Sequence, residues 1–181
     1  GLVSSLGETS PVSWMNSSLH GRPVIPRSGY LVEFNALWYN ALMQGISMAE
    51  GNNTLDQRRQ RWIEYAEKMK QPFIDMFLNG YGYLYDYVNG SYADPSVRPN
   101  MAIAIGLDYS PLDRRQRKGV LDVVTRELLT PKGLRTLSPK SYGYRPFYLG
   151  SPEERELALH QGPARPWLIS FYADAYIRVF G

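Results

Sequence analysis

Cysteine is absent from this 181-residue chain. That excludes disulfides, thiolate catalysis and cysteine-ligated metals, and it favours a reducing compartment. Histidine is almost as scarce, with only His20 and His160. A histidine-rich zinc centre would need both plus carboxylates, and their spacing matches no ligand pattern, so no metal is expected. No apolar run is long enough to span a bilayer. Gly1 to Pro11 is small and polar, without the apolar core of a secretory leader. Cytoplasmic residence with no membrane partner is therefore expected. Asn16-Ser17-Ser18, Asn52-Asn53-Thr54 and Asn89-Gly90-Ser91 match the glycosylation acceptor pattern, and without a leader they read as chance. Charge of either sign is in small excess only, the net value being +3. Two basic runs, Arg58-Arg59-Gln60-Arg61 and Arg114-Arg115-Gln116-Arg117-Lys118, lie near helix starts. Each is a polyanion patch or a solvated helix face. The second reading is preferred because no nucleic-acid motif accompanies them, and no nucleic-acid partner is expected.

What is present is enough for a packed core, since 44% of the residues are hydrophobic. Trp38, Leu42, Ile46 and Ala49 recur at helical spacing over 35–49. A second helix is expected from Thr54, as N-cap, to Leu78, with Trp62, Ala66, Met69, Phe73 and Phe77 on one face and a kink or split at Pro72. Residues 113–129 carry Val120, Val124 and Leu128 on one face behind Asp113 as cap, and 166–180 carry Leu168, Phe171, Ala175 and Val179. Shorter helices are expected near 98–105 and 152–159. Tyr81 to Val88 alternates loosely and suits a short strand pair or an extended loop. The prolines and glycines of Thr130–Gly150 make that stretch a structured loop, and loops of such length are usually functional. Helix–loop–helix units in series fit an all-α fold, a partial (α/α)6 toroid of helix hairpins with long functional loops, as one partial domain over 1–181.

Four constellations hold candidate chemistry. In Trp14-Met15-Asn16, Pro23–Arg27 and Glu33-Phe34-Asn35-Ala36-Leu37-Trp38, polar residues interleave with aromatics. Sugar sites need that mixture, because ring faces stack on a pyranose while carboxylates and amides bind hydroxyls. Asn35 also suits a helix cap and Trp38 a core position. Arg98-Pro99-Asn100 offers donors at a helix start. Gly133-Leu134-Arg135-Thr136 sits in the long loop. His160-Gln161-Gly162 precedes a turn at a helix start, where a loop residue can face a pocket.

Taken in order, these segments resemble the C-terminal amylo-α-1,6-glucosidase domain of glycogen debranching enzymes. The likeness runs through Trp14-Met15, Pro23–Arg27, Glu33–Leu42, Gly82-Tyr83-Leu84-Tyr85-Asp86, Arg98-Pro99-Asn100, Val123–Pro139, and His160-Gln161-Gly162 with Pro166-Trp167-Leu168. It covers roughly residues 12–180. The resemblance implies glycoside hydrolysis in glycogen catabolism, with no metal or organic cofactor. Its implied fold is an (α/α)6 barrel that removes the α-1,6-linked glucose of a trimmed branch with inversion. One carboxylic acid protonates the leaving oxygen while a carboxylate about 6.5–9.5 Å away activates water.

Two departures set the expectation for this chain. The resemblance implies an aspartate after the tryptophan–methionine pair as general acid, and here Asn16 stands there. An amide has no proton of useful acidity, although its near-identical shape leaves sugar binding intact. Glu33 is the nearest alternative acid by sequence and is expected to hydrogen-bond sugar hydroxyls. The resemblance also implies a general base on a later loop, expected beyond Gly181. A smaller departure is Pro163-Ala164-Arg165, where the resemblance implies threonine-valine-tryptophan. The expected sugar-facing set is Asn16, Glu33, Asn35, Trp38, Arg98, Asn100, Arg135, His160 and Gln161, with branched α-glucan or an oligosaccharide as partner. The chain on its own is expected to be inactive. The alternative is a non-catalytic module binding glucan or protein, in which a homo-oligomer covers helix faces that a partial toroid leaves bare.

Overall fold

The computed structural model describes residues 1–181. Six α-helices carry the fold: α1 (Val32–Met48), α2 (Asp56–Phe77), α3 (Asn100–Gly106), α4 (Arg114–Glu127), α5 (Pro152–Ala158) and α6 (Ile169–Phe180). Three small antiparallel sheets tie their loops together. The first pairs β1 (Ser18–Leu19) with β2 (Arg22–Pro23). The second is ordered β3 (Tyr30–Leu31), β4 (Tyr87–Asn89), β5 (Tyr92–Ala93), and the third β6 (Leu129–Thr130), β7 (Gly133–Arg135), β8 (Ala164–Arg165). The fold is thus helix-rich with sheets, not all-α. Backbone groups of long loops need partners once buried, and ladders supply them. Strands of two or three residues are too short to leave a period in the sequence, which is why they were not expected outside Tyr81–Val88.

The helices start and pack for identifiable reasons. α1 has no side-chain cap, and its first amide, Val32 N, donates to the Asp86 carbonyl at 3.1 Å. Thr54 does not cap α2. Asn52 Oδ1 instead accepts from Thr54 N (3.1 Å) and Thr54 Oγ1 (2.7 Å), closing a 3-10 turn over Asn53–Leu55 that leads into the helix. α2 then runs unbroken through Pro72, which lies on its exposed side. An interior proline costs about 3 kcal/mol. Full burial of Phe73 and Phe77, at about 1.5–3 kcal/mol each, offsets it. Asp113 caps α4 as expected, in a box with Gln116, and Ser151 with Glu154 does the same for α5.

Every residue of α3 is buried. It lies between α1, α4 and α6, and Gly106 makes the last contact possible, since a Cβ there would stand 2.3 Å from the Phe171 carbonyl. The main core runs from Val32 and Phe73 through Met101 and Val124 to Leu134 and Val179. A smaller cluster, Tyr39, Leu42, Ala66 and Met69, joins α1 to α2. The outer side of α6 is bare: Ile169, Tyr176, Ile177 and Phe180 are 40–65% exposed. No helix is long and apolar enough to cross a membrane.

Candidate functional site

The four most deeply buried charged side chains, Arg27, Glu33, Asp86 and Arg98, are all at most 4% exposed. Isolated buried charges are prohibitively costly, so the balance of two cations and two anions is what allows the cluster. Arg27 is its hub. Its Nη1 and Nη2 donate to the two Glu33 oxygens at 2.5 and 2.7 Å, and its Nε donates to Asp86 Oδ2 at 2.7 Å. Burial alone would lower the Arg27 guanidinium, but the Asp86 and Glu33 carboxylates outweigh it and hold it above its ordinary value. Arg98 is pulled below its ordinary value by burial, with Asp86 and Asp94 opposing; its Nε is 3.8 Å from Asp86 Oδ2.

Asn100, the first residue of α3, carries this cluster to the surface. Its Nδ2 donates to Asp86 Oδ1 at 2.7 Å and to Met15 Sδ at 3.2 Å, and its Oδ1 accepts from Trp14 Nε1 at 2.8 Å. Because a carboxylate only accepts, the amide has one possible orientation. The Trp14 indole so held stands edge-on to His160 (5.1 Å, 87°) and to Trp167 (5.3 Å, 87°).

Arg98 stitches the remaining loops together. Its Nη1 donates to the His160 carbonyl at 2.9 Å and the Thr136 carbonyl at 3.2 Å, and its Nη2 to Gln161 Oε1 at 2.8 Å. Thr136 Oγ1 accepts from Gly162 N at 2.8 Å and donates to the Pro163 carbonyl at 3.1 Å. Gly162 has no room for a side chain, since a Cβ would meet the Arg145 carbonyl at 2.1 Å.

The surface above these groups is an open hollow of about 400 Å³, lined by Trp14, Asn16, His160, Arg165 and Trp167 together with Leu159 and Pro166. His160 Nε2 accepts from the Asn16 backbone amide at 3.2 Å and lies 3.4 Å from Asn16 Oδ1. Burial, helped by the Arg165 and Arg98 guanidiniums, pushes the imidazole down to about 4, so it is neutral at pH 7. With Nε2 accepting, the proton sits on Nδ1, a buried atom with no protein acceptor. The hollow can stack a ring and exchange hydrogen bonds with hydroxyls. No carboxylate lines it.

The family model for amylo-α-1,6-glucosidase matches residues 1–180. The chain belongs to the amylo-α-1,6-glucosidase family. It is also 26% identical, over 190 aligned positions, to the glycogen debranching enzyme of Saccharomyces cerevisiae. That alignment covers 86% of this chain and 12% of the yeast protein, so the chain spans about an eighth of that relative's length.

Within this chain the expected residues separate by depth. Asn16 and His160 line the hollow. Arg98, Asn100 and Gln161 form the hydrogen-bonded layer behind it. Glu33 is deeper still, at 1% exposure with both oxygens held by Arg27, so it does not reach the hollow. Asn35 is buried inside α1, where it bonds Val3 N, Val3 O and Leu31 O, tying down the N-terminal segment. Trp38 packs on the α1–α2 cluster. Arg135 is a half-buried β7 residue paired through its backbone with Ala164. The residues missing from the expectation are Trp14, Arg165 and Trp167 in the hollow, and Arg27 and Asp86 beneath it. The signal for the last two was a charge set among apolar or aromatic neighbours, as in Val24-Ile25-Pro26-Arg27 and Tyr83-Leu84-Tyr85-Asp86-Tyr87.

Proposed function

We propose that the hollow holds a glucosyl unit of a branched α-glucan, and that this chain binds it without hydrolysing it. The observation that carries the reading is the lining itself: two indoles fixed at right angles, a neutral imidazole and an amide, with no carboxylate among them. Inverting hydrolysis of an α-1,6 link needs an acid and a base on opposite faces of the bond. Asn16 supplies neither, and Glu33 is locked beneath Arg27. In an intact domain of this family the same surface serves debranching at α-1,6 branch points. The helix pair α1–α2, with α3, α4 and α6, is then part of an (α/α)6 toroid, and residues 1–181 form one partial domain of it. A cytoplasmic location in glycogen catabolism follows from the same reading.

The test is binding and turnover on one sample. Isomaltose and maltohexaose are expected to change the tryptophan fluorescence saturably, while a branched limit dextrin yields no glucose above a buffer blank. Glucose release overturns the inactive half; unchanged fluorescence with no calorimetric heat overturns the binding half.

The bare side of α6 favours a second reading, that of a protein-interaction module in which a second copy covers Ile169, Tyr176, Ile177 and Phe180. Sedimentation decides it: a dimer dispersed by Ile177→Glu supports it, and a monomer at all concentrations rejects it.

A further inference from the structure

The loop layer opens a second time at the C-terminal end of α4, as a cleft of about 350 Å³. Tyr81 and Tyr83 form one wall, their ring centroids 6.4 Å apart and their planes only 24° from parallel. Tyr81 is 87% exposed. Opposite stands Glu127, whose side chain is 10% exposed. Its carboxylate is fixed from three sides, accepting from Ser138 Oγ (2.6 Å), Lys140 Nζ (3.2 Å) and Arg126 Nη2 (3.3 Å). Ser138 Oγ also accepts from Lys140 N at 3.1 Å, so the segment carrying the lysine is anchored as well. Burial would raise the Glu127 carboxyl, but the bonds from Ser138, Lys140 and Arg126 prevail and hold it below its ordinary value, ionised at pH 7.

As a stability device the two ion pairs are weak, because their cations, Arg126 and Lys140, are 58% and 72% exposed and such pairs contribute about 0–1 kcal/mol. As a binding device it has the required parts. An exposed ring offers a stacking face, and a carboxylate held in one orientation accepts hydroxyls without first losing its own freedom. The carboxylate among the cations speaks for a neutral polyol and against a phosphate. The cleft also touches the first hollow's support: Val97 lines it, and the next residue, Arg98, holds Gln161 and the His160 carbonyl.

We propose that the Tyr81–Tyr83–Glu127 cleft is a second saccharide subsite, taking a glucosyl unit farther along the glucan whose end occupies the Trp14–His160 hollow. The inference rests on the glucan reading of that hollow and narrows it, since the ligand is then an oligosaccharide and not a single glucose.

The test is an NMR titration of the ¹⁵N-labelled chain with maltohexaose and, separately, glucose. Maltohexaose is expected to shift the Trp14 and Trp167 indoles together with the Tyr81, Tyr83 and Lys140 amides, while glucose shifts the indoles alone. Tyr81→Ala changes an exposed side chain, so the fold survives. It is expected to weaken maltohexaose by about three- to tenfold and leave glucose unchanged. Glu127→Gln, which keeps the shape and drops the charge, weakens it in the same selective way. Indole shifts that saturate with silent cleft amides overturn the second subsite and leave the first hollow standing. Cleft shifts with silent indoles overturn the first reading and with it the shared glucan, and silence at both overturns both.

Discussion

Replacing Arg27 with methionine tests the buried charge cluster directly. Methionine fills much of the apolar stem's space and removes every donor, leaving Glu33 and Asp86 without their main partner. Asp86 keeps Asn100 at 2.7 Å and Arg98 Nε at 3.8 Å, whereas Glu33 has no other cation within ion-pair distance. The loss is therefore set by one uncompensated charge, about 3–5 kcal/mol, and not by two. Against a total stability of about 5–15 kcal/mol that is a large fraction, and the urea midpoint at pH 7 falls accordingly. The pH dependence carries the stronger signature. A buried carboxylate that has lost its cation is costly only in its charged form, so acid relieves the variant's penalty. The gap between variant and wild type then narrows as pH falls, by up to about 1.4 kcal/mol per unit. His160 works in the opposite direction. Its folded value of about 4 lies below the ordinary 6.5, so the unfolded chain binds more protons and stability is lost as pH drops from 6.5 towards 4. Both proteins share that loss, and the difference between their unfolding curves at pH 7 and pH 5.5 cancels it. Adding Glu33→Gln to the variant should restore part of the stability and flatten the difference. A loss under about 1 kcal/mol, the value of a surface pair, or a gap that widens in acid, refutes the argument.

Further outcomes follow from other sites. Asn16→Asp places a carboxylate where Oδ1 now lies 3.4 Å from His160 Nε2, and NMR titration should find the imidazole raised well above its present value of about 4. Gly106→Ala drives a methyl against the Phe171 carbonyl and separates α3 from α6, costing about 1–3 kcal/mol by denaturant unfolding. Asp113→Ala removes the side-chain half of the α4 capping box and should cost about 1 kcal/mol by the same measure.

The helices were legible because their apolar residues repeat: Ala66, Met69, Phe73 and Phe77 mark the buried side of α2, and Asp113 marks the start of α4. The sheets were not, because strands two residues long have no pattern to repeat. The site was legible in part. Asn16 and His160 stood in readable motifs, but nothing in spacing says that His160 receives the Asn16 amide across 144 residues of chain. The depth ordering was illegible for the same reason. Glu33 and Asn35 belong to one motif, yet one binds Arg27 and the other the N-terminal segment at Val3, because helix positions two apart face different neighbours. Pro72 does not split α2 because the burial of Phe73 and Phe77 on the same helix offsets its cost.

The charge cluster also bears on the order in which the chain is made. Glu33 follows Arg27 by six residues, whereas Asp86 follows it by 59. At about 5–20 residues per second, a translating ribosome presents Arg27 and Glu33 for about 3–12 s before Asp86 is synthesised. During that interval the arginine has one counterion close by in sequence and waits in water for the other. Asp86 arrives with Arg98 and Asn100 close behind. Arg27 with Glu33 and Asp86 with Arg98 thus enter as two balanced pairs, and the indole of Trp14 is fixed only once Asn100, 86 residues later, is in place.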